Sequence, residues 1–437
     1  MPMKPKRRSH QIASTAYATL PGADDITRVE FSNGLILLTR PNFNSQSVVI
    51  GGYLPAGSLY EPDEKLGLAH FTASALMRGT REHAFQAIYD SLESVGASLG
   101  FGAGMHNTGF TGRALAEDLT MLLKLLVEVL QQPSFPADQV ERLRAQILTG
   151  LDIRAQDTGE MASLTFDKII FSGHPYSRPE DGYPETIRSI TIEDLAHFHQ
   201  DFYGPQRMVL AIVGAITPSQ AVDEVGQTLG KWYNPRQPGP VTLPDLATMD
   251  RTTREHVNIA GKSQTDLMIG AIGPARKSPE FISASLGNNI LGQFGMYGRI
   301  GDVVREQSGL AYYAYTSLNA GIGPGSWEVS AGVNPKNLEK TIALIISEIS
   351  RFIREPVTAG ELADSQANYV GRLPLSLESN MGMAGALINL ERFNLGLDYY
   401  RHYPDRVYQA TPESVLETAR AYLNPEKLAI VSAGSLE

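Results

Sequence analysis

With no cysteine in the sequence, the histidines carry most of the remaining possibilities for metal binding and acid–base chemistry. The chain contains nine histidines and no cysteine, which excludes thiolate metal sites, cysteine nucleophiles and disulfide scaffolds. His197 and His199 are two residues apart on a predicted helix, so they lie on different faces and do not share one metal ion. His83 and His106 are candidates only if the fold brings them close together. His70 lies in the most informative segment of the chain.

His70 belongs to a segment that we predict to be helical, GLAHFTASALMRGT at 67–80, which follows a Gly-Ser pair at 57–58. At these residues the sequence resembles the pitrilysin and mitochondrial-processing-peptidase family of zinc metallopeptidases. That family carries an inverted H-x-x-E-H zinc motif on this helix. The resemblance continues through His-Pro-Tyr at 174–176 and ends in the second half at 304–312, so it covers nearly the whole chain.

The same resemblance indicates that the zinc motif is degraded. In the family, two histidines four residues apart share one helix face, and a glutamate between them is the general base. His70 keeps the first ligand, but Ala73 replaces the glutamate and Ser74 replaces the second histidine. Gly150 stands where the family has a distant third ligand, a glutamate. Because catalytic zinc needs three protein ligands, we expect no metal site here and interpret His70 as a hydrogen-bonded remnant.

A second pair of family residues is retained. In this family the C-terminal half contributes an arginine and, seven residues later, a tyrosine, which bind the substrate carbonyl and stabilise the tetrahedral intermediate. Arg305 and Tyr312 match this pair. Arginine offers permanently charged donors, and a tyrosine hydroxyl can donate to a developing oxyanion. In the structural alternative, Arg305 pairs with a nearby carboxylate and Tyr312 packs in a strand, as Tyr313 and Tyr315 also could.

Two further segments resemble substrate-handling parts of the family. Gly292 and Gly295 lie in LGQFGMYGR at 291–299, where the non-catalytic processing-peptidase subunit has a longer glycine-rich loop. Because the segment is short here, its substrate-binding role is weak, and a helix–turn–helix connection is the alternative. The strand around 96–111 resembles the edge strand to which peptides add by β-augmentation in this family.

The elements that must position these residues repeat along the chain, in the same order and at nearly the same spacing. The repeated pairs are 201–205 with 421–425, 50–56 with 269–275, and the amphipathic helices 119–131 with 338–353. Three matches of this kind predict a duplication. Each half mixes strands, such as 48–54 and 327–333, with helices, such as 116–130 and 137–150.

We therefore predict an α+β fold made of two homologous α/β-sandwich domains, each a mostly antiparallel sheet with helices packed on it. The resemblance implies the architecture of the LuxS and processing-peptidase-like metallopeptidases. The expected divisions are a flexible arm at 1–24, an N-terminal domain at 25–232, a proline-rich linker at 233–255 and a C-terminal domain at 256–437.

The charge and hydropathy of the chain bear on whether it binds nucleic acid or a membrane. With 37 basic and 47 acidic residues the net charge is −10, which argues against a nucleic-acid partner. The basic residues at 4–8 are not followed by the apolar stretch of a signal peptide, and no window offers the ~20 apolar residues of a membrane helix. We expect no membrane partner and a cytoplasmic location, with the periplasm left open.

The resemblance implies a non-catalytic subunit of a heterodimeric zinc peptidase, which supplies Arg305 and Tyr312 in trans to substrate binding and transition-state stabilisation. Zinc is then expected in a paralogous partner subunit and no cofactor in this chain. The other partner is a peptide substrate, and a homodimer is allowed when the chain is isolated. A second hypothesis is a peptide-binding or scaffold protein without a proteolytic role, like the core subunits of respiratory complexes. A third is an active enzyme with an unrecognised site.

Overall fold

Two β-sheets form the framework of the chain, for which the computed structural model describes residues 20–293 and 298–435. The first sheet belongs to the N-terminal half and the second to the C-terminal half. The strands of the first sheet are β1 (Thr27–Glu30), β2 (Ile36–Pro41), β3 (Ser47–Leu54), β4 (Ser98–Ala103), β5 (Thr108–Leu115) and β6 (Val209–Gly214). The strands of the second sheet are β7 (Thr253–Asn258), β8 (Thr265–Ile272), β9 (Ala311–Leu318), β10 (Ser326–Val333) and β11 (Ala429–Gly434).

The two sheets share one topology once the edge strand β1 is set aside. The first sheet has the order β1-β2-β6-β3-β5-β4, and the second has the order β7-β11-β8-β10-β9. Each sheet contains one parallel pair, β2 with β6 and β7 with β11, and its other pairs are antiparallel. Strands β6 and β11 are buried along their whole length, and their sequences are accordingly almost entirely apolar, with Ser432 of β11 as the polar exception.

Helices cover both faces of the sheets. The first half contains α1 (Leu68–Ala75), α2 (Phe85–Glu93), α3 (Leu119–Gln131), α4 (Ala137–Arg154), α5 (Thr158–Ile170), α6 (Pro184–Ser189), α7 (Ile192–Phe202) and α8 (Pro218–Thr228). The second half contains α9 (Phe281–Asn288), α10 (Arg299–Gly301), α11 (Leu338–Phe352), α12 (Ala359–Ser376), α13 (Asn380–Arg392), α14 (Tyr399–Tyr408) and α15 (Pro412–Tyr422). Two π-helical segments, Asn289–Gln293 and Asp302–Glu306, continue α9 and α10.

One face of each sheet packs against helices of the same half. In the first half, Leu126 of α3 belongs to a buried cluster with Ile50 of β3. In the second half, Ile345 of α11 belongs to a buried cluster with Val329 of β10. The apolar residues of α3 and α11 recur with the helical period, so each helix presents one apolar face to its sheet.

The opposite face of each sheet is covered by a helix from the other half. Leu387 of α13 packs in one cluster with Val209 of β6, so a C-terminal helix covers the N-terminal sheet. Phe166 of α5 packs in one cluster with Val431 of β11, so an N-terminal helix covers the C-terminal sheet. Because α5 and α13 hold equivalent places in the two halves, the exchange is reciprocal, and neither sheet is fully covered by its own half.

The shared strand order and the matching helices confirm the predicted fold of two homologous α+β domains. The predicted strands at 48–54 and 327–333 agree with β3 and β10 within one residue. The predicted helix at 116–130 differs at its start, because Ala116–Asp118 forms a single 3-10 turn before α3.

The connection between the halves runs from the end of α8 to the start of β7. Residues 229–252, all of which the structure describes, contain no helix or strand. The domain limits at 25–232 and 256–437 stay a prediction, and most of the expected arm at 1–24 lies outside the described residues. Among the helices of the described chain, none combines the length and apolar character needed to cross a bilayer.

Candidate functional site

A buried carboxylate fixes the start of α1, the helix that carries His70. Glu61 accepts hydrogen bonds from the backbone N–H groups of Gly67 at 2.9 Å and Ala69 at 2.5 Å. Burial raises the pKa of Glu61 to about 7, and these two N–H groups oppose the shift. Gly67 has a φ of +92°, and a Cβ there would lie 2.7 Å from Ile187 Cδ1, so this turn requires glycine.

The four positions of the degraded zinc motif lie in different environments. His70 lines a cavity of about 320 Å³. Burial lowers the pKa of its imidazole, although the carboxylate of Asp181 opposes the shift. Ala73 is buried and Ser74 is half-buried on the same helix. Gly150 is exposed on α4, and a Cβ added there would meet nothing within 4 Å.

This set of residues does not fit a zinc ion, because His70 is the only one of the four that offers an imidazole or carboxylate ligand. In the part of the chain that the structure describes, one set of three His, Asp or Glu residues has its ligand atoms within 4.8 Å of one another. That set is Glu82, His83 and Glu128, and it does not include His70.

His83 Nδ1 lies 2.9 Å from Glu128 Oε1, so the fold pairs His83 with a carboxylate and not with His106. The interpretation of His70 as a hydrogen-bonded remnant stays a prediction. Within 20–293 and 298–435 neither nitrogen of its ring has a hydrogen-bond partner, because the ring borders the cavity.

Carboxylates that the sequence did not single out surround the same cavity. Asp167 and Glu180 line it. Burial, with the charges of Glu328 and Glu180, raises the pKa of Asp167 to about 7. Burial also raises the pKa of Glu180, which accepts from the Met105 N–H at 2.7 Å, and the pKa of Glu328, which accepts from Ser326 Oγ at 2.5 Å. Asp167 can therefore hold a proton near neutral pH, while Arg178, which pairs with Asp63, adds a positive charge to the same lining.

His106 and Tyr176 meet beside the cavity, with 2.7 Å between His106 Nε2 and the tyrosine hydroxyl. Burial and the charge of Arg392 lower the pKa of His106 to about 4, so its ring is neutral at neutral pH. Arg392 comes from the end of α13, lies over the ring of Tyr53 at 4.8 Å, and has a buried Nε with no hydrogen-bond partner in the described residues. The resemblance included Tyr176, but no sequence spacing links it to His106 or Arg392.

Arg305 lies on the π-helical segment that follows α10, and this segment packs against β9. Its side chain is partly exposed, and the nearest carboxylate is that of the neighbouring Glu306, 3.8 Å from Nε. A contact of this length between exposed groups contributes little to stability. The carboxylate pairing foreseen in the structural alternative exists only in this weak form.

Tyr312 is the extra residue of a β-bulge in β9, because β10 pairs with Ala311 and Tyr313 and skips it. Its side chain is 64% exposed, and its hydroxyl makes no hydrogen bond in the described residues. The neighbouring Tyr313 differs, since its hydroxyl donates to the buried Asp266. Bulges re-aim side chains and are frequent beside functional sites. Tyr312 and Arg305 both lie outside the lining of the His70 cavity.

Of the two glycines proposed to bind substrate, the structure describes Gly292 but not Gly295. Gly292 is buried, and a Cβ there would lie 2.7 Å from Thr316 of β9, so its lack of a side chain allows close packing. Gly295 lies outside the described residues. A substrate role for both stays a prediction. The expected edge strand around 96–111 is instead a hairpin of β4 and the start of β5, and only β4 lies at the sheet edge. Cβ atoms added at Gly100 and Gly102 of β4 would meet nothing within 4 Å.

Two models of one family match the chain. The model described as the peptidase M16 inactive domain matches residues 189–369, and the model described as insulinase (peptidase family M16) matches residues 37–178. An uncharacterized zinc protease of Mycobacterium leprae is 26% identical over 96% of this chain and 92% of its own length. The mitochondrial-processing peptidase subunit beta of Saccharomyces cerevisiae is 24% identical over 86% of this chain and 83% of its own length.

Solved structures have the same fold. The peptidase M16 inactive domain from Pseudomonas fluorescens superposes with a TM-score of 0.87 and 28% identity, covering 94% of this chain and 98% of that one. A protease from Helicobacter pylori gives a TM-score of 0.87 with 18% identity, covering 94% of this chain and 99% of that one. At 18% identity the second comparison concerns the fold alone.

Proposed function

The chain belongs to the M16 family of insulinase- and pitrilysin-like peptidases, and from this we propose that it is the non-catalytic subunit of a two-chain zinc peptidase. In this proposal a paralogous partner holds the zinc ion. Arg305 and Tyr312 of this chain act on the peptide bound at the partner's site.

One observation carries the proposal: the metal positions have lost their ligands, while the arginine and tyrosine remain available. His70 belongs to no group of three possible ligands in the described residues. Arg305 and Tyr312 are both exposed, and neither is engaged in a buried ion pair or side-chain hydrogen bond there. Exposed polar groups presented by a π-helical turn and a β-bulge are suited to a ligand that comes from outside the chain.

The chemistry of the pair matches an acyl-transfer reaction. The guanidinium of Arg305 can hold a substrate carbonyl or carboxylate through two parallel N–H groups. The hydroxyl of Tyr312 can donate to the oxygen on which negative charge develops, and such a donor stabilises the transition state more than the ground state. Both groups bind and orient the peptide, while bond cleavage requires the partner's metal.

Relatives that are named as subunits support a paired assembly. The yeast and Arabidopsis thaliana proteins that resemble this chain are named as beta subunits of a mitochondrial-processing peptidase, the second as a probable one. The proposal also includes that this chain's partner is a zinc-binding paralogue and that the pair is cytoplasmic.

A peptide-binding protein without proteolytic function is the second candidate, and the open edge of β4 favours it. The space beside Gly100 and Gly102 lets an extended peptide approach the backbone and add to the sheet. Tight peptide binding by the isolated chain, with no gain in cleavage on adding a paralogue, would favour this candidate.

The decisive experiment is co-expression with a paralogue from the same genome that carries an intact H-x-x-E-H motif. We expect cleavage of a fluorogenic peptide library by the pair and by neither chain alone. Metal analysis is expected to find less than stoichiometric zinc in this chain and one zinc per partner chain. A partner whose motif glutamate is changed to glutamine serves as the inactive control.

Stoichiometric zinc or peptide cleavage in this chain alone would contradict the proposal. Activity of the partner that is independent of this chain would contradict it as well.

A further inference from the structure

A second cavity lies in the C-terminal half, apart from the residues that line the His70 cavity. Its volume is about 550 Å³. It is open to solvent and is bordered by the turn before α9, the turn after α13 and the ends of α14 and α15. Three basic residues line it, Arg276, Lys277 and Arg406, and no aspartate or glutamate is among its lining residues.

The three basic side chains are without ion-pair partners in the described residues. This is unusual for a chain in which acidic residues outnumber basic ones by 47 to 37. Like charges gathered without a counter-charge repel one another, so the cluster is stabilised when an anion binds. The acidic residues next to the lining in sequence are Glu280, Asp398, Asp405 and Glu413, and the carboxylate of Glu280 accepts from Ser278.

Aromatic rings orient two of the cations. The guanidinium carbon of Arg276 lies 4.1 Å from the ring centre of Phe281, and that of Arg406 lies 5.1 Å from the ring centre of Tyr399. Arg276 also donates to the Tyr399 hydroxyl at 2.9 Å. Stacking uses the faces of the guanidinium groups and leaves most of their N–H edges uncommitted. Those edges can donate pairs of hydrogen bonds to a planar or tetrahedral oxyanion.

We propose that this cavity binds a small phosphate-bearing anion through Arg276, Lys277 and Arg406. A phosphate group offers three or more oxygens and up to two negative charges, which matches three cationic side chains better than the two oxygens of a carboxylate. The cavity is larger than inorganic phosphate requires, so it has room for an organic group beside Phe393, which also lines it. Nothing in the proposed peptidase role depends on this site.

The test is calorimetric titration of the full chain at constant ionic strength with inorganic phosphate, AMP and succinate as separate probes. We expect saturable binding of phosphate or AMP. Higher affinity for phosphate would indicate a free phosphate ligand, and higher affinity for AMP would indicate a nucleotide ligand. Arg406→Gln and Lys277→Gln should each weaken binding about tenfold or more, because each removes a charge-assisted contact. Both side chains are exposed, so neither change should impair folding.

Lys336→Gln is the matched control, because it removes an exposed positive charge of the same half outside the cavity. It should leave the affinity unchanged, while Glu280→Gln should raise it by removing a negative charge next to the lining. Absence of saturable binding of both phosphate and AMP would overturn the proposal, and so would binding by both cavity variants as tight as binding by the unmodified protein. Succinate binding as tight as that of phosphate would overturn the assignment to phosphate.

Discussion

At the residue scale, the zinc-motif positions have lost most of their metal ligands, whereas the arginine and tyrosine positions have kept their side chains. The degraded motif keeps one imidazole, His70, and surrounds it with carboxylates that are not arranged to bind a metal ion in the described residues. The second site keeps both of its polar side chains, Arg305 and Tyr312, in exposed positions. In the proposed role this distribution lets the chain bind and orient a peptide, while among the described residues His70 belongs to no group of three ligands that could hold a metal ion to activate water.

The raised pKa of the Asp167 carboxyl group leads us to predict that the stability of the fold depends on pH. Its folded-state pKa is raised to about 7 from 3.8, mainly by burial, so the folded state prefers the protonated form. A raised carboxyl pKa stabilises the fold fully below the unfolded value, and this stabilisation is lost as pH rises from about 4 to about 7. Asp167→Asn should therefore melt at a higher temperature than the unmodified protein, with a difference that grows over this range and levels off above it.

Thermal melting at pH 5, 6, 7 and 8 measures this difference directly. The exposed Asp223→Asn on α8 is the control, and its effect should not vary with pH. A pH-independent effect of Asp167→Asn would show that the carboxyl group is not perturbed in the folded protein.

Substitution of Tyr312 or Arg305 should lower the turnover of the proposed pair. Tyr312→Phe removes one donor to the developing oxyanion, and loss of such a donor lowers kcat by about 100-fold in other enzymes. Arg305→Ala should lower kcat/KM at least as strongly because it also removes a charged contact to the peptide. Size-exclusion chromatography should show that both variants still form the pair.

Tyr315→Phe is the matched control, since Tyr315 is another exposed tyrosine of β9 and its ring contact with Tyr313 survives the change. Unchanged turnover in both Tyr312→Phe and Arg305→Ala would exclude the role in trans.

At the element scale, the exchanged helices α5 and α13 are the main feature that the sequence pattern did not reveal. Periodicity in a sequence tells only that a helix has a buried face and not which sheet covers that face. The bulge at Tyr312 was hidden for a similar reason. A one-residue irregularity in strand pairing depends on the partner strand, which here is β10.

The exchange predicts that single residues of α5 and α13 stabilise the opposite half. Phe166 and Leu387 are both fully buried against the other half's sheet. Phe166→Ala should cost about 3–5 kcal/mol and Leu387→Ala about 2–5 kcal/mol of unfolding free energy. Urea unfolding followed by circular dichroism measures both values. The exposed Leu375→Ala on α12 is the control and should change stability by less than about 1 kcal/mol.

At the scale of the whole molecule, the exchange ties the two halves into one folding unit. Chains of this length commonly unfold domain by domain. Here, opening one half removes a helix from the sheet of the other half, so the free energies of the two are coupled. We expect a single unfolding transition for the full chain.

The two tryptophans make this expectation measurable, because Trp232 lies in the first half and the buried Trp327 in the second. In Trp327→Phe the fluorescence reports on the first half, and in Trp232→Phe it reports on the second half. In each variant the midpoint of urea unfolding by fluorescence should coincide with the midpoint by far-ultraviolet circular dichroism. Separate midpoints within one variant would mean that the halves unfold independently.

The sequence by itself determined the family, the duplication and the loss of the zinc motif. These conclusions depend on residue types at fixed spacings, such as Ala73 and Ser74 after His70. Such spacings can be read along the chain without knowing which segments contact one another. The tertiary structure decided which sheet each helix covers and how Tyr312 is presented. It also brought together Asp167, Glu180 and Glu328. Burial and the approach of distant charges set these properties, and both arise only when segments far apart in sequence pack together.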